Sequence, residues 1–119
     1  MRIGELSRRT GVPSRLLRYY EEQGLLHPTR DPNGYRAYAP EDVPTVRRIR
    51  DLLAAGLPTE AIGRLLPCAH DEAPGVTPCT RSLNVLDDRL DSLAEQITRL
   101  RHQHELLTAQ RTATADRAG

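Results

Sequence analysis

Apolar residues recur along this chain at helical spacing, broken by short glycine- and proline-marked gaps. Ile3, Leu6 and Val12 form a stripe that predicts a first short helix over about residues 3–9. Thr10-Gly11 supplies the turn. A second helix is expected from about Ser14 to Gln23, stopped by Gly24. In it Leu16, Leu17 and Tyr20 point to the core, and Arg15, Arg18 and Tyr19 to the opposite face. Pro13 stands just before Ser14 and leaves the start of this helix open by one residue. Leu25 to Thr29 then reads as a strand weakened by Pro28, Pro32-Asn33-Gly34 as a hairpin turn, and Tyr35 to Tyr38 as the return strand. Period two puts Arg36 and Tyr38 on one face and Tyr35 and Ala37 on the other. Pro40-Glu41-Asp42 opens a third helix buried through Val43, Val46, Ile49 and Leu53, with Pro44 as a flaw in its first turn. Gly56 ends it. Pro58-Thr59 opens a short fourth helix carrying Ala61, Ile62, Leu65 and Leu66.

The pattern then changes twice. Pro67, Pro74, Gly75 and Pro78 exclude a continuous helix over 67–79, so this stretch is expected to be a loop holding Cys68, His70 and Cys79. From Thr80 onward Leu83, Leu86, Leu90, Leu93, Ile97, Leu100, His104 and Leu107 recur in steps of three and four, an a/d seam of about four heptads. Asp87, Asp88, Arg89, Asp91, Glu95, Arg99 and Arg101 lie off the seam. A domain of about 66 residues cannot bury such a stripe, so a second copy of the chain is the expected partner. The organisation read from the chain is residues 1–66 as a helical domain with a two-stranded hairpin, 67–79 as a cysteine-containing loop, 80–111 as a dimerisation helix, and 112–119 as a flexible tail.

Charge sharpens this picture. Residues 1–50 carry ten arginines against six acids, a net of +4; residues 51–119 carry seven against ten, a net of −3. A basic first half beside an acidic second half fits a nucleic-acid module joined to something else. No apolar run reaches the roughly 20 residues that a membrane span needs, and no signal peptide is recognisable, so a cytoplasmic protein is expected. Thiols stay reduced there, which argues against a constitutive disulfide between Cys68 and Cys79. No nucleophile–base pair or phosphate loop points to an enzyme.

Four runs taken together, Ile3-Gly4-Glu5-Leu6, Arg18-Tyr19-Tyr20-Glu21, Gly24-Leu25-Leu26 and Asn33-Gly34-Tyr35-Arg36-Ala37-Tyr38, resemble the MerR family of bacterial transcription regulators. The resemblance implies a mainly α fold: a winged helix-turn-helix domain followed by a long dimerisation helix that forms an antiparallel coiled coil. It implies a homodimer on double-stranded promoter DNA, bending and untwisting it for RNA polymerase in response to an effector. By residue match Arg18, Tyr19 and Tyr20 fall on the family's second-helix motif and Arg36 and Tyr38 on its wing motif; DNA contacts are expected from Ser14, Arg15, Arg18, Tyr19, Arg36 and Tyr38, while Tyr20 is expected in the core by its i+4 relation to Leu16 and Tyr35 packed beneath the wing. A surface ion pair with Glu21, Glu22 or Asp31 is the alternative for Arg18 and Arg36.

The loop leaves its chemistry open. Cys68, His70 and Cys79 suit a thiophilic metal ion, Cys68 and Cys79 suit a thiol switch, and two inert cysteines are the third alternative. Cys79 resembles the cysteine that metal-sensing relatives place at the start of the dimer helix. No cysteine pair follows it to match the second part of that pattern. The competing reading is an effector-independent repressor or architectural DNA-binding protein. His104, a polar residue on the seam, is expected to set register rather than bind metal.

Overall fold

The computed structural model describes residues 1–68 and 80–119. It contains α1 (Ile3–Thr10), α2 (Ser14–Glu22), β1 (Thr29–Arg30), β2 (Arg36–Ala37), α3 (Asp42–Ala54), α4 (Thr59–Leu65), a 3-10 turn over Leu66–Cys68, and α5 (Thr80–Ala118). Two compact units divide it, Met1–Val85 and Leu86–Gly119.

In the first unit α1 and α2 form a helix-turn-helix held by local hydrogen bonds. Gly11 takes a left-handed φ of 73°, which glycine adopts without steric cost, and its N–H donates to the Ser7 carbonyl. The Thr10 hydroxyl donates to the Leu6 carbonyl and accepts from the Val12 N–H, while the Ser7 hydroxyl donates to the Val12 carbonyl at 2.6 Å. From α3, Arg50 Nη1 caps the Thr10 carbonyl at 3.1 Å. Helix α2 starts at Ser14, and the extended Pro13 preceding it offers its carbonyl to the Leu16 and Leu17 amides. Pro44 costs α3 nothing, since it is the third helical residue and an amide there has no intrahelical acceptor.

The core gathers Leu6, Val12, Leu17, Tyr20, Leu25, Leu26, Tyr38, Val46, Ile49, Leu57, Ala61, Ile62, Leu65 and Val85. Several expectations shift here. Leu25 and Leu26 are not a wing strand. They fold into the core directly after α2, with the Leu25 N–H on the Tyr20 carbonyl and Gly24 at φ 74°, the apolar anchor that commonly follows a glycine C-cap. The strand begins only at Thr29, past Pro28. Leu16 is 39% exposed rather than buried, because Leu17 and Tyr20 already fill the inward face. Val43 and Leu53 are half-buried. The first turns of α5 belong to this unit, and Ser82 and Val85 are buried in it.

The second unit is the remainder of α5, a helix of 39 residues in all, about 58 Å long at 1.5 Å per residue. Every side chain from Ala94 to Gly119 is exposed. The helix also runs past residue 111 to Ala118, where a frayed tail was expected. Ala109, Gln110, Arg111, Ala113 and Ala115 are good helix formers, no proline or glycine interrupts them before Gly119, and the Thr114 hydroxyl donates to the Gln110 carbonyl within the helix.

Candidate nucleic-acid interface

Helix α2 presents one face to the core and the other to solvent. Leu17 and Tyr20 are buried; Arg15, Arg18 and Tyr19 are exposed together at i, i+3 and i+4, with Ser14 half-buried at the helix start. Tyr19 is 42% exposed and leans on Tyr20, ring centroids 6.4 Å apart at 54°. Two cations and a phenol thus share one exposed helix face, and an α-helix is an element that a major groove admits.

Beside α2 lies the two-stranded wing, antiparallel with Thr29 opposite Ala37 and Arg30 opposite Arg36. Asp31 builds its turn: Oδ1 accepts from the amides of Asn33 and Tyr35, and Gly34 takes φ 82°. Arg30 Nη1 donates to the Gly34 carbonyl at 2.9 Å. Arg36 Nε donates to Glu21 Oε2 at 2.6 Å with both side chains partly shielded. This contact ties the wing to α2. It is the ion-pair alternative for Arg36, and it engages the group that a phosphate would otherwise take.

Two tyrosines exchange their expected roles. Tyr38 is 3% exposed, and its hydroxyl is buried without a hydrogen-bond partner among the described residues. The alternation predicted from period two holds, but the face shared by Arg36 and Tyr38 is the inner one. Tyr38 is therefore corrected from DNA contact to core residue. Tyr35, expected to pack inward, is 56% exposed, with the Arg2 guanidinium 4.3 Å from its ring centroid. Arg2 also lies 3.8 Å from Asp31. The cause is backbone pairing: the Met1 amino group donates to the Tyr38 carbonyl and the Tyr38 N–H to the Met1 carbonyl, both at 2.7 Å. The chain start is thereby laid along β2, and Arg2 reaches the wing. Sequence reasoning missed Arg2, because everything that brings it to the wing, the Met1–Tyr38 pairing and the contacts with Asp31 and Tyr35, lies far away along the chain.

Burial holds the Tyr38 hydroxyl above its ordinary pKa of 10.0, Glu21 and Asp42 push the same way, and Arg36 and Arg18 oppose them. Tyr20 is raised by burial against the opposing charge of Arg50. A raised phenol pKa favours the folded state fully below pH 10.0, and that contribution is lost as pH rises through the higher folded value. Stability should therefore fall above about pH 10, and less steeply in Tyr38→Phe, which also removes an unsatisfied hydroxyl worth about 1–3 kcal/mol when stranded. Thermal melts from pH 7 to 11 test this. Operator affinity of Tyr38→Phe at neutral pH should stay within about twofold; a large loss would return Tyr38 to the contact surface.

Of the loop residues, the backbone of Cys68 closes the 3-10 turn, while His70 and Cys79 lie outside the described residues. Among the described residues no three His, Cys, Asp or Glu side chains come together to hold a metal ion. The seam residues Leu83, Leu90, Ile97, Leu100 and Leu107 are exposed at 48–72%, His104 is exposed with them, and Leu86 and Leu93 are half-buried.

Residues 1–68 match the family model described as MerR HTH family regulatory protein. The chain is 35% identical over 107 residues to the HTH-type transcriptional regulator HmrR of Rhizobium leguminosarum bv. viciae, spanning 90% of this chain and 83% of that protein. It is 40% identical over 74 residues to the heavy metal-dependent transcription regulator 2 of Rhizobium meliloti (strain 1021), spanning 61% of this chain and 50% of that one. Among solved structures, the transcription regulator PbrR691 from Ralstonia metallidurans CH34, in complex with lead(II), superposes with a TM-score of 0.78 at 26% identity, covering 93% of this chain and 84% of that chain.

Proposed function

Because the chain belongs to the MerR family of helix-turn-helix regulators, we propose that it is a metal-responsive regulator that reads its promoter through the outer face of α2. It is a transcription regulator rather than an enzyme, and regulators of this family bind promoter DNA as dimers. Arg15 and Tyr19 face the groove or its edge, Ser14 and Arg18 hold the flanking phosphates, and the wing braces the neighbouring backbone. The observation that carries this reading is the one-sided Arg15–Arg18–Tyr19 surface, locked to the wing by the Arg36–Glu21 contact. Arg36 acts chiefly as that lock. Bending and untwisting the promoter costs several kcal/mol, supplied by contacts that form only on the distorted duplex.

The effector proposed is a thiophilic metal ion held by Cys68 and Cys79, with His70 as a nitrogen donor. Support comes from the donor set, since two thiolates and an imidazole select soft cations, and from two similar proteins, one named for heavy-metal dependence and one solved with lead(II). The seat of action is the cytoplasm, where promoter DNA lies. No helix among the described residues is long and apolar enough to cross a membrane.

Footprinting and in vitro transcription with copper(I), zinc(II) and lead(II) test the proposal. One of these ions should bind the reduced protein, change the footprint and alter transcript yield, and Cys79→Ser should abolish the response while leaving metal-free DNA binding intact. A protein that takes up none of them and gives one unchanging footprint would instead be the effector-independent repressor.

A further inference from the structure

The exposed seam of α5 carries more information than its hydrophobicity. It is symmetric about Glu95: Leu93 and Ile97 lie two residues to either side, Leu90 and Leu100 five, Leu86 and His104 nine, and Leu83 and Leu107 twelve. With Leu83 at heptad position a, the flanking e positions are Asp87, Ala94, Arg101 and Thr108, and the g positions are Arg89, Gln96 and Gln103. Asp87 and Arg101 are both exposed, and neither has an ion pair among the described residues. They stand 14 residues apart on one helix, about 21 Å, too far to meet within a chain.

Taking as given the antiparallel α5 pair that membership of the family implies, we propose that its register is centred on Glu95 and is selected by two ion pairs in which Asp87 of each chain meets the partner's Arg101. The inference rests on the dimeric reading above and specifies what that reading leaves open. In this register all eight seam positions face an apolar or seam partner, and His104 lies against the partner's Leu86 instead of the partner's His104. Antiparallel helices bring e against e and g against g. Asp87 then faces the partner's Arg101, Ala94 faces the partner's Ala94 at the dyad with room for close approach, and Gln96 faces the partner's Gln96. Flanking charges of this kind set partner choice and orientation in coiled coils.

The alternatives lose both features. Sliding one helix by a heptad leaves two seam residues per chain unpaired and puts Asp87 against the partner's Ala94 or the partner's Thr108. A parallel pair sets Asp87 against the partner's Ser82, Arg101 against the partner's Gln96, and two imidazoles together on the seam. Only the register centred on Glu95 joins charges of opposite sign, one pair toward each end of the e flank.

Charge exchange in the full chain tests this. Asp87→Arg and Arg101→Asp should each weaken the dimer by about tenfold or more, because each places like charges opposite one another twice per dimer. The double variant should recover wild-type dissociation to within about threefold. Mixed in equal amounts, the two single variants should prefer the heterodimer, whose two flanking pairs are again of opposite sign. Sedimentation equilibrium reads the dissociation constants, and circular dichroism confirms that helix content is retained. A double variant no stronger than the singles, or a mixture that stays unmixed, overturns the register. That result is distinguishable from failure of the dimer itself, which would show as a monomeric wild-type chain.

Discussion

Leu90→Asp should convert the protein to monomers at micromolar concentration and reduce operator affinity by at least about 100-fold. Leu90 is 62% exposed on the single chain, as are comparable areas of Leu100 and Leu107. Burying a leucine side chain contributes about 1.5–3 kcal/mol, and each substitution acts twice in a symmetric pair. Aspartate adds the cost of a charge facing an apolar seam. The loss reaches DNA binding because two helix-turn-helix units engage successive half-sites only when joined at fixed spacing; separated, each retains the weak affinity of one module. Sedimentation velocity and gel shift on the same preparation give both readouts. A dimer that survives Leu90→Asp would remove the seam from the interface.

Arg18→Ala should weaken operator binding by about 100-fold or more and reduce the slope of log K against log salt by about 1.8. Neutralising one phosphate contributes about 0.9 to that slope, and a dimer presents Arg18 twice. The charge-assisted hydrogen bond lost on each side is worth about 1.5–3 kcal/mol. Arg18 is exposed and forms no ion pair among the described residues, unlike Arg36. The loss should be nearly uniform across operator sequences, as phosphate contacts position without reading bases. Arg15→Ala should instead relax preference at particular base pairs. Arg117→Ala, in the last turn of α5, is the control that leaves the slope unchanged. A wild-type slope for Arg18→Ala would move the phosphate contact elsewhere.

The residues that repeat at regular spacing declared themselves in the sequence. Leu17 with Tyr20, Val46 with Ile49, and the α5 seam all follow helix period, and Gly11 and Gly24 mark the breaks where left-handed backbone is needed. Residues whose place depends on distant partners did not. Alternation sorted Tyr35 from Tyr38 but gave no sign of which side faces in. That choice is made by Met1 pairing with the Tyr38 backbone across 37 positions. Arg36 could meet a phosphate or a carboxylate, and Glu21, 15 positions earlier, decides it. Leu16 satisfies helix period as well as Leu17 does, yet the inward arc of α2 has space for only one of them. The end of α5 was hidden for a different reason: the last residues of a chain commonly fray, but alanine-rich sequence sustains the helix to Ala118 without a buried face.

The clasp between Glu21 and Arg36 has a consequence for anyone who would retarget this regulator. Exchanging the recognition helix for one from a relative would carry away half of the joint and leave the hairpin tied only through Tyr38 and the Met1–Arg2 segment. Transplants that move both strands along with the helix keep the joint whole, so a portable reading head has to include Ser14 to Tyr38 without interruption, together with the Met1–Arg2 segment that pairs with Tyr38 and reaches the wing.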